Sequence, residues 1–144
     1  MGLNRLALKS SRVEEVKTPD STVYSVLSYI DDHYSEDLTL DKLANRFFIS
    51  KYHLSREFPR LVGTSVHRYI VQKRLVMAKQ MLSRGLSSSD VYQRCGFGDY
   101  SNFYRAFRQE YQISPKEFAA QVKQNAYREE ALPGGMRMRT EKQA

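Results

Sequence analysis

The sequence holds one cysteine, Cys95, in 144 residues, which excludes an internal disulfide and fits a reducing compartment. No apolar run reaches the length of about 18 residues that a transmembrane helix needs. The opening stretch from Met1 to Lys9 lacks an apolar core of signal-peptide size, and Leu6 stands where a myristoylation signal needs Ser or Thr. The expected location is therefore the cytoplasm, with no membrane partner. His33, His53 and His67 are scattered, with no pair four residues apart and no second thiol, so neither a metal nor another cofactor is expected. A nucleophile paired with a base is missing as well, and the chain is not expected to be an enzyme. Strand-like alternation is absent, so the expected fold class is all-α.

What is present is positive charge, unevenly spread. Lys and Arg number 23 against 16 acids, a net charge of +7, which favours a polyanionic partner. From Asp20 to Asp41 there are six acids (Asp20, Asp31, Asp32, Glu36, Asp37, Asp41) and no Lys or Arg. From Phe58 to Ser89 there are six bases (Arg60, Arg68, Lys73, Arg74, Lys79, Arg84) and no acid. A polyanion would be repelled by one region and attracted by the other.

The apolar spacing predicts helices throughout. Val23, Val26, Leu27, Ile30 and Tyr34 share one helical face. Thr39 caps a short helix with Leu40, Leu43, Ala44 and Phe47 inward, and Ser50 opens another with Leu54, Phe58 and Leu61 inward. Gly63-Thr64-Ser65 breaks the chain before a long helix, Val66 to Leu82, closed by Gly85 as a left-handed cap. Ser87 and Asp90 have capping-box spacing, Asp99 caps a sixth helix running to about Tyr111, and Ser114-Pro115-Lys116-Glu117 is a full helix start fading near Glu130. The expected organisation is a leader over 1–20, a first subdomain over 21–63, a connector helix over 64–85, a second subdomain over 86–130 and a disordered tail over 131–144.

Two of these parts repeat. Thr39 to Arg46 aligns with Ser87 to Arg94 at an offset of 48 residues; beyond the turn the offset is 49, matching Ser50 with Asp99, Leu54 with Phe103, Arg56 with Arg105 and Phe58 with Phe107. Each part is a short capped helix, a tight turn and a second capped helix, the form of a helix-turn-helix whose second helix enters the major groove. On the outward side of the second helices lie Tyr52, Ser55, Arg56 and Pro59 in one unit and Ser101, Tyr104, Arg105 and Arg108 in the other. Arg suits bidentate contact with guanine, while Ser and Tyr reach bases or phosphates. The DNA-contact candidates are Lys51, Tyr52, Ser55, Arg56, Tyr100, Ser101, Asn102, Tyr104, Arg105 and Arg108. Cys95 aligns with apolar Phe47 and reads as a buried structural thiol.

The chain resembles the DNA-binding region of AraC/XylS-family transcription regulators over about Val23 to Phe118. The matching pieces are Leu43-Ala44, Ser50-x-x-x-Leu54-Ser55-Arg56-x-Phe58, Gly63-Thr64-Ser65, Tyr69-Ile70, Arg74-Leu75-x-x-Ala78-x-x-Met81-Leu82, Gly96-Phe97-x-Asp99-x-Ser101-x-Phe103-x-Arg105-x-Phe107, and Ser114-Pro115-Lys116-Glu117-Phe118. The resemblance implies two helix-turn-helix subdomains joined by a central helix, bacterial transcriptional control, and recognition helices in successive major grooves. Double-stranded DNA is the expected partner, with RNA polymerase as a second expectation and a monomer as the expected state. Four departures stand out. Phe48 replaces a turn Gly, which predicts a differently shaped first turn; Tyr92 replaces a small Ala; Gln112 replaces a Gly; and Pro59 is expected to kink or shorten its helix. The competing reading is a basic helical module that binds protein or RNA, although single-stranded RNA is usually stacked on a sheet or loop platform that an all-α chain lacks.

Overall fold

A computed structural model describes residues 19–131; most of the leader and of the tail expected above lie outside the described residues. The described residues form seven helices and no strand: α1 (Pro19–His33), α2 (Leu40–Arg46), α3 (Lys51–Val62), α4 (Val66–Ser83), α5 (Ser88–Arg94), α6 (Tyr100–Tyr111) and α7 (Pro115–Ala131). Helix α1 begins ahead of its first core residue, Val23, because Pro19 favours a helix's first turn and Asp20 complements the N-terminal dipole.

The chain divides into two units, one holding α1 up to Asp32 with Leu38–His67, the other holding His33–Asp37 with the chain from Arg68 onward. In the first, Val23, Val26, Ile30, Leu43, Ala44, Leu54, Phe58 and Val66 are buried, so α2 and α3 present their apolar stripes inward. In the second, Leu75, Ala78, Leu82, Val91, Cys95, Phe103 and Phe107 form one core, rimmed by Val71, Phe97, Tyr111 and Phe118. Burying a Phe or Leu in this way contributes about 1.5–3 kcal/mol each. Tyr34 joins this rim, and Arg74 explains why. Its half-buried guanidinium donates from Nε to the Tyr34 carbonyl at 2.7 Å and from Nη2 to the Glu36 carbonyl at 2.7 Å. Arg74 therefore ties the turn after α1 to α4 and is withdrawn from the solvated basic face on which its charge alone would place it.

Local chemistry sets the helix ends. Thr39 Oγ1 accepts from the Lys42 N–H at 3.1 Å, Ser50 Oγ from His53 at 2.9 Å and Asp99 Oδ1 from Asn102 at 2.7 Å. Ser114 and Glu117 complete a reciprocal capping box: each side chain accepts from the other's backbone N–H, at 2.8 and 3.0 Å. After α4, the Leu86 N–H bonds the Met81 carbonyl and the Gly85 N–H the Leu82 carbonyl, a Schellman closure with Gly85 at φ +98°.

Three expectations are corrected. Ser87 is the N-cap of α5 but its side chain makes no capping bond; its hydroxyl pairs with Ser89 Oγ at 3.1 Å instead, so no capping box forms with Asp90. The turn at Phe48 is not shaped differently from its counterpart. Phe48 adopts φ +57°, its N–H bonds the Asn45 carbonyl and the Ile49 N–H bonds the Ala44 carbonyl, as Gly96 and Phe97 bond Gln93 and Tyr92 in the second unit. Pro59 does not shorten its helix: α3 and α6 both run 12 residues, and the Pro59 carbonyl still accepts from Gly63 at 2.9 Å. Gln112 closes α6 at φ +65° through the same bond, from its N–H to the Arg108 carbonyl at 2.8 Å, that Gly63 makes at the end of α3. Tyr92, in place of a small residue, fills space against Tyr100 and Phe103 at ring distances of 5.6 and 6.5 Å.

Candidate nucleic-acid interface

Each second helix buries two residues one turn apart, Leu54 and Phe58 in α3, Phe103 and Phe107 in α6. That burial fixes the rotation of the helix about its axis and leaves the opposite face in solvent. In the first unit this face carries Lys51, Tyr52, Ser55 and Arg56, all exposed, with Tyr52 78% accessible. In the second it carries Ser101, Asn102, Tyr104, Arg105 and Arg108, also exposed, with Tyr104 38% accessible. Tyr100 differs from the other candidates. It is half-buried, its hydroxyl donates to Ser88 Oγ at 3.3 Å and its ring lies 6.3 Å from that of Tyr104.

The two faces repeat at the level of bonds. In α3, Ser50 caps His53, and His53 Nδ1 faces Arg56 Nη2 at 3.4 Å. In α6, Asp99 caps Asn102 through the backbone and also accepts from Asn102 Nδ2 at 3.2 Å, while Asn102 Oδ1 accepts from Arg105 Nη2. Cap, a polar residue three positions on, and arginine three positions further recur in both helices. Each arginine is thus leaned toward the N-terminal end of its helix, where unpaired N–H groups and the helix dipole already favour an anion. Ser55 Oγ donates to the Tyr52 carbonyl at 3.0 Å, leaving its oxygen as an acceptor. Lys51 Nζ lies 3.2 Å from Asp41, and Arg108 Nη1 lies 3.8 Å from Glu117; both pairs are exposed and cheap to break.

The faces differ in charge at several positions: neutral Ser50 matches Asp99, Lys51 matches Tyr100 and Pro59 matches Arg108. Glu57, beside Arg56, has no acidic counterpart in α6, where Ala106 occupies the matching position. Its Oε1 accepts from Arg60 Nε at 2.7 Å and its Oε2 lies 3.4 Å from Arg56 Nε, while Arg60 Nη2 reaches Asp20 at 3.0 Å. The bond from Arg60, with that from Arg56, holds the Glu57 carboxyl below the usual carboxylate range. Neither His53 nor Glu57 was among the residues singled out in the sequence. The signal available was their spacing from Arg56, three before and one after, compared with Asn102 and Ala106. Among the described residues no His, Cys, Asp and Glu side chains gather in a way that could hold a metal ion, and no helix is long and apolar enough to cross a membrane.

Residues 43–121, more than half of the chain, match a family of helix-turn-helix domains. The structure of a transcriptional regulator from Chromobacterium violaceum, described as containing an AraC-type DNA-binding domain, superposes with a TM-score of 0.65 at 27% identity, covering 73% of this chain and 95% of that one. The chain belongs to this AraC-type helix-turn-helix family. Two curated relatives agree. The transcriptional activator RhaS of Citrobacter koseri is 32% identical over 118 residues, 81% of this chain and 42% of RhaS. The regulatory protein PocR of Salmonella typhimurium is 31% identical over 109 residues, 75% of this chain and 36% of PocR. The chain thus spans less than half the length of these relatives. The AraC-type fold accounts for α2 and α3 as one helix-turn-helix and α5 and α6 as the other, with α4 following the first in sequence and leading into the second.

Proposed function

We propose that the chain binds double-stranded DNA sequence-specifically as a bacterial transcription regulator, with α3 and α6 as its two reading helices. The observation that carries this is the doubled series of cap, polar residue and outward arginine: Ser50, His53, Arg56 and Asp99, Asn102, Arg105. In this reading Arg56 and Arg105 read base edges, guanine O6 and N7 being the best bidentate acceptors. Tyr52, Ser55, Ser101 and Tyr104 supply hydroxyls to bases or phosphates, and Lys51, Asn102 and Arg108 fix the register on the backbone. Tyr100 supports Tyr104 from behind and meets the duplex only at its edge. RhaS, a relative, is described as a transcriptional activator, which is the class of role proposed for this chain.

Further parts of the reading follow from the same assignment. Each helix enters a major groove, and successive grooves lie about 34 Å apart on straight B-DNA. A continuous connector from Ser65 to Arg84 would be about 30 Å long at about 1.5 Å per residue. One monomer then covers an asymmetric site of about two turns, and engaging both grooves bends the DNA at a cost of about 1–6 kcal/mol. RNA polymerase is the partner through which a regulator of this kind acts, in the cytoplasm and without a cofactor or catalytic step of its own.

Titration of a labelled duplex at several salt concentrations, followed by footprinting, tests the proposal. Affinity should fall steeply with salt, by a slope of about −0.9 per phosphate neutralised, and the footprint should span two turns. Binding that ignores salt and shows no preference for duplex would overturn it in favour of a protein-binding module. A one-groove footprint on straight DNA would leave a single reading helix.

A further inference from the structure

The two reading helices share a capped start, an inward apolar pair and an outward arginine, and one difference between them is the carboxylate set beside the first arginine. Glu57 is only 15% accessible along its side chain, whereas Arg56 is 63% accessible. The carboxylate is held from both sides: Arg60 Nε donates to Oε1 at 2.7 Å, and Arg60 in turn is anchored to Asp20 of α1 at 3.0 Å. Its remaining oxygen faces Arg56 Nε at 3.4 Å, a long and weak bond. All four residues belong to the first unit. In α6 the matching positions are Ala106 and Gln109, so no acid directly follows Arg105; it leans on neutral Asn102, which Asp99 holds in turn.

We infer that Glu57 is a positioning residue for DNA reading, an internal counter-ion that makes Arg56 answer to a base rather than to the phosphate backbone. The inference rests on the proposed function and concerns how its first reading arginine is controlled. A guanidinium has five N–H donors in a rigid fork. With Nε turned toward Glu57, the donors left over sit on the two terminal nitrogens, the end that meets guanine O6 and N7 side by side. Supporting contacts of this kind lock the rotamer of the residue that does the reading. A phosphate approaching Arg56 meets the opposite situation. It would compete with an anion that already stands 3.4 Å from the guanidinium, and it would be repelled by a carboxylate that Arg60, itself paired with Asp20, keeps from swinging away. Glu57 thus weakens non-specific binding by the first unit and spares the uncharged base edge. The second unit, with no acid directly beside Arg105, contributes more of the general attraction for the duplex, while both arginines read bases.

The test compares the full chain with Glu57→Gln, which keeps shape and removes charge, and with Ala106→Glu, which places the same acid beside Arg105. Each is titrated against a random-sequence duplex and against a duplex selected by the unaltered chain from a random pool. For Glu57→Gln, affinity for random duplex should rise about two- to fivefold, the worth of an exposed ion pair. Its salt slope should steepen by up to about one, and the ratio of selected to random affinity should fall. Ala106→Glu should lower random-duplex affinity by a similar factor; if it fails to fold, the Glu57→Gln result decides alone. A purely structural role for Glu57 would lower stability and leave the salt slope and the ratio where they were. Unchanged slope and ratio in Glu57→Gln would overturn the inference while leaving DNA binding intact. Failure of the unaltered chain to bind duplex would overturn both.

Discussion

Phe48 and Gly96 occupy the same left-handed position in two turns with the same hydrogen bonds, at φ +57° and +101°, yet only Gly96 is enclosed. A Cβ on Gly96 would stand 2.8 Å from Arg74 Nε, 2.9 Å from Ser35 Cα and 3.0 Å from the Tyr34 carbonyl oxygen. Phe48 is 94% exposed, so its side chain has room and buries almost nothing in return for its backbone strain. Phe48→Gly should therefore stabilise the first unit by about 1 kcal/mol, the relief of left-handed strain less the entropy of a freer unfolded chain. Gly96→Ala should destabilise by about 2–4 kcal/mol, because strain and a backbone clash add. Urea unfolding of both variants checks the opposite signs.

The ends of the reading helices show the same exchange in reverse, with Gly63 closing α3 and Gln112 closing α6. Gln112→Gly should stabilise, but by less than Phe48→Gly, because the Gln112 side chain donates to the Gln109 carbonyl at 2.9 Å and that bond is lost. Thermal melts of the two variants side by side give the order.

Cys95 is fully buried, and burial pushes its thiol from 9.0 up to about 12, against a smaller lowering by Arg74. The folded state keeps the proton that the unfolded chain gives up, so the stabilising effect is complete below pH 9 and is lost as pH rises toward 12. Burial raises the Tyr34 and Tyr111 phenols in the same direction. Urea midpoints measured between pH 8 and 11 should fall with pH, and Cys95→Ala should flatten that fall in part. A thiol reagent should label native Cys95 slowly and denatured chain fast; rapid native labelling would contradict the burial.

The capping box at α7 makes a further stability prediction. Ser114→Ala should cost about 1 kcal/mol by freeing the Glu117 N–H. The Ser114 N–H, then its hydroxyl, hold the Glu117 carboxyl below the usual carboxylate range. That contribution is present above the ordinary carboxylate pKa and lost as pH falls through the lowered one, so Glu117→Gln should weaken the acid dependence of unfolding. Acid titration followed by circular dichroism reads it.

Much of this arrangement was legible because it is local. Thr39, Ser50, Asp99 and Ser114 cap helices with their own side chains within three residues, and the inward faces of α3 and α6 follow from apolar spacing alone. What was not legible depends on distant partners or on competition. Arg74 looked like part of a basic face, but its acceptors are carbonyls 38 and 40 residues away. Ser87 had capping-box spacing, and its hydroxyl went to Ser89. The preference of a bulky residue against positive φ predicted a different turn at Phe48, and the packing of α2 on α3 overrode it. The spacing of Glu57 beside Arg56 is local, but its anchoring through Arg60 depends on Asp20, 37 positions earlier than Glu57.

If two equivalent arginines each read part of one DNA site, selection of bound sequences from a random duplex pool will show it. The unaltered chain, Arg56→Ala and Arg105→Ala should each yield a preferred site. Each variant should lose preference at about one base pair, at different positions, with about 1–3 kcal/mol of specific affinity lost. Sites identical to that of the unaltered chain in both variants would contradict the claim, since neither arginine would then touch a base.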